Sequence, residues 1–216
     1  MADTSIFTDV GDVESGAKFT VSDPPNLLEL LARRALNDEH PRVIIDGPSG
    51  SGKSTLARKL AEIMGAELVQ MDHVYASWDG LVAAGQHIAL HLLEPLSRGV
   101  TGRAEHWDWN NNASAGWQLV RPDQGLVVEG SAALNRRSAP LSTLRVWVEV
   151  TDDNARRKRA LEQRAGGDIY APYWEHWGKQ EREHIACEGG AALADIVIRP
   201  AVEVNEPLYT LVRGEL

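Results

Sequence analysis

The residues with the plainest chemistry are Gly47-Pro48-Ser49-Gly50-Ser51-Gly52-Lys53-Ser54, which satisfy the pattern GxxxxGK[ST], with Thr55 directly after them. Glycines at this spacing let consecutive backbone N–H groups turn inward as an anion nest, and a helix starting at the end of the pattern adds the positive end of its dipole. Lys53 supplies a mobile ammonium for the β and γ phosphates, and the Ser54 hydroxyl suits Mg2+. The block Gly47–Thr55 is therefore expected to hold the phosphates of a nucleoside triphosphate. Such a loop serves kinases, GTPases and motors alike, so the remaining acids discriminate. Asp72 closes the run Ala66–Asp72 and Glu129 closes Leu126–Glu129. Phosphoryl transfer to an alcohol needs a metal to gather charge on the phosphate oxygens and a carboxylate to orient the attacking hydroxyl and take its proton. Asp72 and Glu129 can divide those tasks, so both count as metal-side and acceptor-side candidates beside Ser54.

The elements needed to position these groups are visible as patterns. Val43-Ile44-Ile45, between Pro41 and Gly47, is a β-branched run of the kind buried on both faces, and it leads straight into the glycine-rich block. Similar runs follow at 66–72, 126–129, 144–150 and 195–199. Helical stripes separate most of them. Leu27, Leu28, Leu30 and Leu31 follow an Asn26 cap and predict a helix to about Asn37, and Leu56, Ala57, Leu60, Ala61 and Met64 predict another that ends on Gly65. Residues 153–163 form an Arg-rich helical pattern. Strands alternating with helices predict an α/β fold, three layers deep, with a five-stranded parallel sheet and its ligands at the carboxyl ends of the strands. The stretches 77–123 and 166–190 exceed ordinary connections and hold six of the seven tryptophans. They read as a substrate cap and part of a helical lid spanning about 151–190. Residues 1–25 read as a loosely held acidic arm ahead of one domain, 26–216.

Composition bounds the partners. With 31 acidic and 22 basic residues the chain carries a formal charge of −9, which argues against a general binder of nucleic acid or anionic membrane. At 43% hydrophobic and 25% charged it is an ordinary globular composition, so disorder as the main state is excluded. The single cysteine, Cys187, permits no intramolecular disulfide and fits a reducing cytoplasm. No run approaches the length of a membrane helix, and the acidic start is unlike a signal peptide.

Three blocks together resemble the uridine kinase family of P-loop nucleoside kinases: Val43 through Thr55, Met71-Asp72-His73-Val74-Tyr75, and Val127-Val128-Glu129-Gly130 after Val120-Arg121-Pro122. Their order and separation match over roughly residues 40–165. The resemblance implies ATP-dependent phosphorylation of a small hydroxylated substrate. It casts Asp72 as the base for a sugar 5′-hydroxyl, Tyr75 as the nearby aromatic, and Glu129 with Ser54 as holders of Mg2+. The family's pyrimidine-binding stretch has a tyrosine, an aspartate and a phenylalanine, then a histidine. This chain has Trp107-Asp108-Trp109 followed by Asn110-Asn111-Asn112, with no histidine after them. Trp107 and Trp109 offer a stacking surface for the acceptor, or else plain packing in the cap. Family lids clamp the triphosphate with arginines. Here Arg156 and Arg159 can share one helical face and Arg157 and Arg164 another, so Arg156 and Arg159 are the first candidates and Arg164 the alternative.

Other patterns are weaker. Tyr170, Tyr173, Trp174 and Trp177 form an aromatic stripe that fits docking of the lid onto the core or onto a second subunit better than base stacking. His87, His91 and Glu94 stand at i, i+4 and i+7, a spacing that metal ligands on one helical face could use, in a helix expected to stop at Pro95. His73 beside Asp72 reads as structural. The reading opposed to a kinase is an ATP-binding accessory protein whose phosphate loop acts as a switch, and a kinase for a non-nucleoside alcohol is the alternative within the class.

Overall fold

The computed structural model describes residues 16–19, 26–162, 167–200 and 209–216. Arg164 and most of the acidic arm lie outside the described residues. The strand at the centre is β2 (Arg42–Asp46), flanked on one side by β6 (Leu126–Glu129) and then β3 (Glu67–Gln70). On its other side lie β7 (Leu144–Val148) and β8 (Ile196–Pro200), and all four pairings are parallel. The expected five parallel strands are thus present. The sheet itself has seven strands: β9 (Tyr209–Arg213) pairs antiparallel with β8, and β1 (Lys18–Phe19) pairs antiparallel with β9. Strand β9 runs against β8 because only eight residues, 201–208, separate the two, too few for the crossover that parallel neighbours require.

Alternation along β2 explains the three layers. Val43 and Ile45 point into one apolar layer with α1 (Leu27–Ala35) and α2 (Lys53–Met64), while Ile44 points into the other. All three are fully buried, which is why the run carries no polar face. Helix α1 starts where Asn26 Oδ1 accepts the Glu29 N–H at 2.9 Å, and its leucines cover the sheet beside α2. The register Ile45↔Glu129 and Asp46↔Trp147 brings the ends of β2, β6 and β7 to one rim, where neighbouring crossovers leave in opposite directions.

The opposite layer is formed by a helical stretch and a hairpin. Helix α3 (Leu81–His87) passes through a π turn at Ile88–Leu93 into α4 (Glu94–Ser97), so the helix does not stop at Pro95. A proline inside a helix has no N–H to donate and its ring crowds the preceding turn; the wider π turn just before it gives that turn room. The remainder of the cap is a separate two-stranded sheet, β4 (Gly102–Asp108) with β5 (Ala113–Val120). The lid contains α5 (Asp153–Glu162), the short α6 (Gly167–Tyr170) and α7 (Trp174–Glu188), followed by α8 (Gly190–Leu193). Among the described residues no helix is long and apolar enough to cross a membrane.

Candidate functional site

The glycine-rich block turns between β2 and α2. Gly50 and Gly52 have φ of +77° and +91°, and a side chain at Gly50 would strike the Arg156 carbonyl of α5. Gly52 sits at the N-cap of α2 and supplies no capping side chain, so the Lys53 and Ser54 N–H groups stay directed at an incoming anion, while Thr55 N–H donates to the Gly52 carbonyl at 3.2 Å. Lys53 is buried and its Nζ lies 3.4 Å from the Pro48 carbonyl, folded back over the loop. Ser51 Oγ is buried without a hydrogen-bond partner, a polar atom that a phosphate oxygen would satisfy.

A cleft of about 340 Å³ opens over this loop, lined by Lys53, Ser54, Gln70, Asp72, Tyr75, Glu129 and Arg159 among others. Ser54 Oγ donates to Glu129 Oε2 at 3.1 Å, and Gln70 Nε2 donates to Glu129 Oε1 at 3.0 Å. Glu129 is 1% exposed at the end of β6, and Gln70 orients it. A hydroxyl beside a carboxylate is an all-oxygen donor set of the kind Mg2+ takes together with phosphate oxygens. Among the described residues no group of three His, Cys, Asp or Glu side chains could hold a metal. His87 Nε2 instead accepts the Glu105 N–H at 3.1 Å, and burial holds that imidazole below its usual range.

Asp72 lies in a single 3-10 turn, Met71–His73, two residues past the end of β3. Its carbonyl accepts the Trp109 indole N–H at 3.0 Å, so the hairpin tip is tied to the turn that carries the acid. Trp109 is 38% exposed and leans on Trp78, with ring centroids 4.9 Å apart, and Trp78 stacks on Tyr173 at 4.3 Å. Trp107 is partly buried, and its ring N–H has no partner. Tyr75 is buried, donates to the Ser131 carbonyl at 2.8 Å and meets Trp177 edge-on. Burial, with Asp72 nearby, pushes its phenol well above the ordinary value.

The two leading lid arginines have different surroundings. Arg159 lines the cleft, and its Nε donates to the Gly50 carbonyl at 2.9 Å. Arg156 is 5% exposed, on the buried face of α5. It donates to Asp153 Oδ1 at 2.6 Å and to the Ser49 carbonyl at 3.2 Å, and its guanidinium covers the Trp174 ring at 4.8 Å. Of the aromatic stripe, Tyr170, Trp174 and Trp177 are buried in the core between lid and sheet, while Tyr173 is exposed at 40%.

Two acids beneath the loop complete the site, and neither was singled out from sequence. Asp46 ends β2; its Oδ1 accepts the Gly47 N–H at 2.5 Å and its Oδ2 the Leu134 N–H at 2.8 Å. Burial raises its carboxyl to about 7, against the lowering by those two N–H groups and Lys53. An acid closing the apolar run Val43-Ile44-Ile45 was the available signal. Glu181 on α7 is 3% exposed and reaches the loop from 132 residues away, where Oε1 accepts Ser49 N–H at 2.8 Å and Ser49 Oγ at 2.6 Å. No local pattern announces that contact.

The family model of cytidylate kinase matches residues 43–98, from β2 through α4. Among solved structures, a possible uridine kinase from Bacillus stearothermophilus superposes with a TM-score of 0.55 at 18% identity, over 79% of this chain and 96% of that one. A candidate fructose transport system kinase from Silicibacter sp. TM1040 aligns at TM-score 0.47 and 20% identity, over 77% of this chain and 90% of that one. A search of curated proteins returns no match. The first superposition shows the fold alone: an α/β domain of the same fold as that chain, in which the glycine-rich block Gly47–Thr55 turns between β2 and α2.

Proposed function

We propose that this chain is a Mg2+- and ATP-dependent kinase that transfers the γ-phosphoryl group to a hydroxyl of a small molecule, with a nucleoside as the acceptor. The observation that carries the reading is the meeting of Ser54 Oγ and Glu129 Oε2 at 3.1 Å in the same cleft as Lys53 and Asp72. A nucleotide switch needs the first three groups and has no use for an acid on the acceptor side. Lys53 and Arg159 bind the β and γ phosphates and offset charge as it builds on the transferred group. Asp72 orients the acceptor hydroxyl and accepts its proton on the carboxylate as the oxygen attacks phosphorus in line, while the bond to the β-phosphate oxygen breaks and ADP departs. Ser54 and Glu129 would hold the magnesium ion, which gathers charge on the β and γ oxygens when bound. The nucleoside assignment draws support from the Trp109 and Trp78 faces beside Asp72 and from the possible uridine kinase this chain is similar to. Arg156 supports α5 from its buried face in this scheme, and Arg159 is the arginine at the phosphates. An ATP-consumption screen over nucleosides, sugars and cofactor precursors tests the proposal. A nucleoside hit that vanishes in Lys53→Met supports it, turnover confined to another alcohol replaces the acceptor class, and MgATP binding with no turnover on any acceptor favours the switch.

A further inference from the structure

Glu181 is a carboxylate drawn from the lid into the underside of the phosphate loop, and its surroundings are those of a bound anion. Its Oε1 accepts from Ser49 N–H, Ser49 Oγ, Ser131 Oγ at 2.7 Å and the Trp177 indole N–H at 3.2 Å. Its Oε2 faces the Arg156 guanidinium at 3.5 Å. These donors come from three places in the fold: the loop after β2, the segment after β6, and the lid helices α5 and α7 themselves. A second set of bonds runs the other way, since Arg156 and Arg159 donate to the successive carbonyls of Ser49 and Gly50. The Ser49 peptide is therefore held at both ends, its N–H by Glu181 and its carbonyl by Arg156.

We infer that Glu181 is a positioning residue that locks the phosphate loop and the lid arginines into one preorganised unit. Two consequences follow from the bonds. With Ser49 N–H committed to Glu181 and Ser51 N–H to the Pro48 carbonyl at 3.1 Å, the N–H groups of Gly50, Gly52, Lys53 and Ser54 are left to face the phosphates. With Arg156 held against a buried counter-charge, α5 is fixed at the spacing that brings Arg159, one turn further on, to the rim of the cleft. Donors fixed before the ligand arrives avoid the reorganisation that weakens anion binding. Removing the charge leaves Arg156 buried without a partner on that side, so the guanidinium turns and α5 shifts with it.

The inference rests on the nucleotide reading of the cleft, and calorimetric titration of the full chain separates the two. Wild type, Glu181→Gln, Ser131→Ala and the exposed control Glu183→Gln are each titrated with MgATP and with magnesium tripolyphosphate, and each is melted without ligand. Glu181→Gln is expected to weaken both ligands by about tenfold or more and by similar factors, and Ser131→Ala, which removes one donor from Oε1 and one from the Gly47 carbonyl, by about threefold with a melting temperature lowered by only a few degrees. Glu183→Gln should match wild type. Equal weakening of the two ligands places the defect at the phosphates, which a general loosening of the lid would not do. If Glu181→Gln fails to fold, Ser131→Ala decides alone. Wild-type affinity in Ser131→Ala, or in a folded Glu181→Gln that merely melts earlier, overturns the positioning role and leaves the kinase reading intact. Absence of binding in wild type overturns both.

Discussion

The two halves of the cleft are built differently. On the proposed phosphate side Glu129 ends a strand, Lys53 and Ser54 start a helix, and contacts reach far across the sequence: Glu129 to Gln70 and Ser54, Ser49 to Glu181, Arg159 to the Gly50 carbonyl. On the acceptor side, Asp72 rides on one 3-10 turn, Trp109 on the tip of an exposed hairpin, and Trp78 and Tyr173 stack where solvent reaches them. In the proposed reaction the first half does the work common to any phosphate donor. The second half can change its residues without disturbing the sheet, which is where a choice of acceptor belongs.

That contrast can be broken in order of expected effect. Lys53→Met should lower kcat/KM by roughly a thousandfold or more, with MgATP affinity falling as well, because it removes charge at the transferred group itself. Asp72→Asn should lower kcat by about a hundred- to a thousandfold and leave the calorimetric MgATP affinity within about twofold. Loss of nucleotide binding in that variant would dissolve the division between the halves.

The phosphate side also has a pH signature. Asp46 titrates near 7 in the folded chain against 3.8 for an ordinary aspartate, because burial raises it. Between those values the folded chain keeps a proton that the unfolded chain has lost. This group's contribution to stability is therefore complete below pH 4 and declines as pH rises through 7, by as much as about 4 kcal/mol. Urea midpoints between pH 4 and 8 should show that decline, and Asp46→Asn should flatten it. An unchanged slope in the variant would assign the titration to another group.

Smaller effects belong to the acceptor side. Trp109→Ala should raise KM for the acceptor about tenfold while KM for ATP stays constant, since the ring contributes surface and holds the Asp72 turn. A rise in KM for ATP would show that the halves are coupled through the hairpin. The exposed His176–Asp79 pair at 2.7 Å joins α7 to the loop after Asp72, and His176→Ala should cost under about 1 kcal/mol in denaturant melts.

The same contrast governs what could be read from residue order. The parallel strands announce themselves because both faces are buried and the runs are continuously apolar, as in Val43-Ile44-Ile45. The phosphate loop is legible because its chemistry is contiguous. Strand β9 escaped because Tyr209 and Leu211 point inward while Thr210 and Val212 are only partly covered, a short alternation that resembles a loop. The hairpin β4–β5 escaped for the opposite reason: Trp117 and Leu119 are exposed at 45% and 62%, so its outward positions look like core. Glu181 depends on a contact across 132 residues, and nothing in its neighbourhood distinguishes it from a solvated helix charge; Arg156 is legible as a lid candidate, but its bond to the Ser49 carbonyl, 107 residues away, is not.

The tie between the Trp109 indole and the Asp72 carbonyl gives the acceptor side an optical handle. Trp109 and Trp78 sit 4.9 Å apart, close enough for their excited states to mix, and one of them is anchored to the turn that carries Asp72. An acceptor that parts or wedges the two rings will change the near-ultraviolet dichroism and the emission of the unlabelled chain. Engagement of an acceptor can thus be followed in a stopped-flow cell before any phosphate moves.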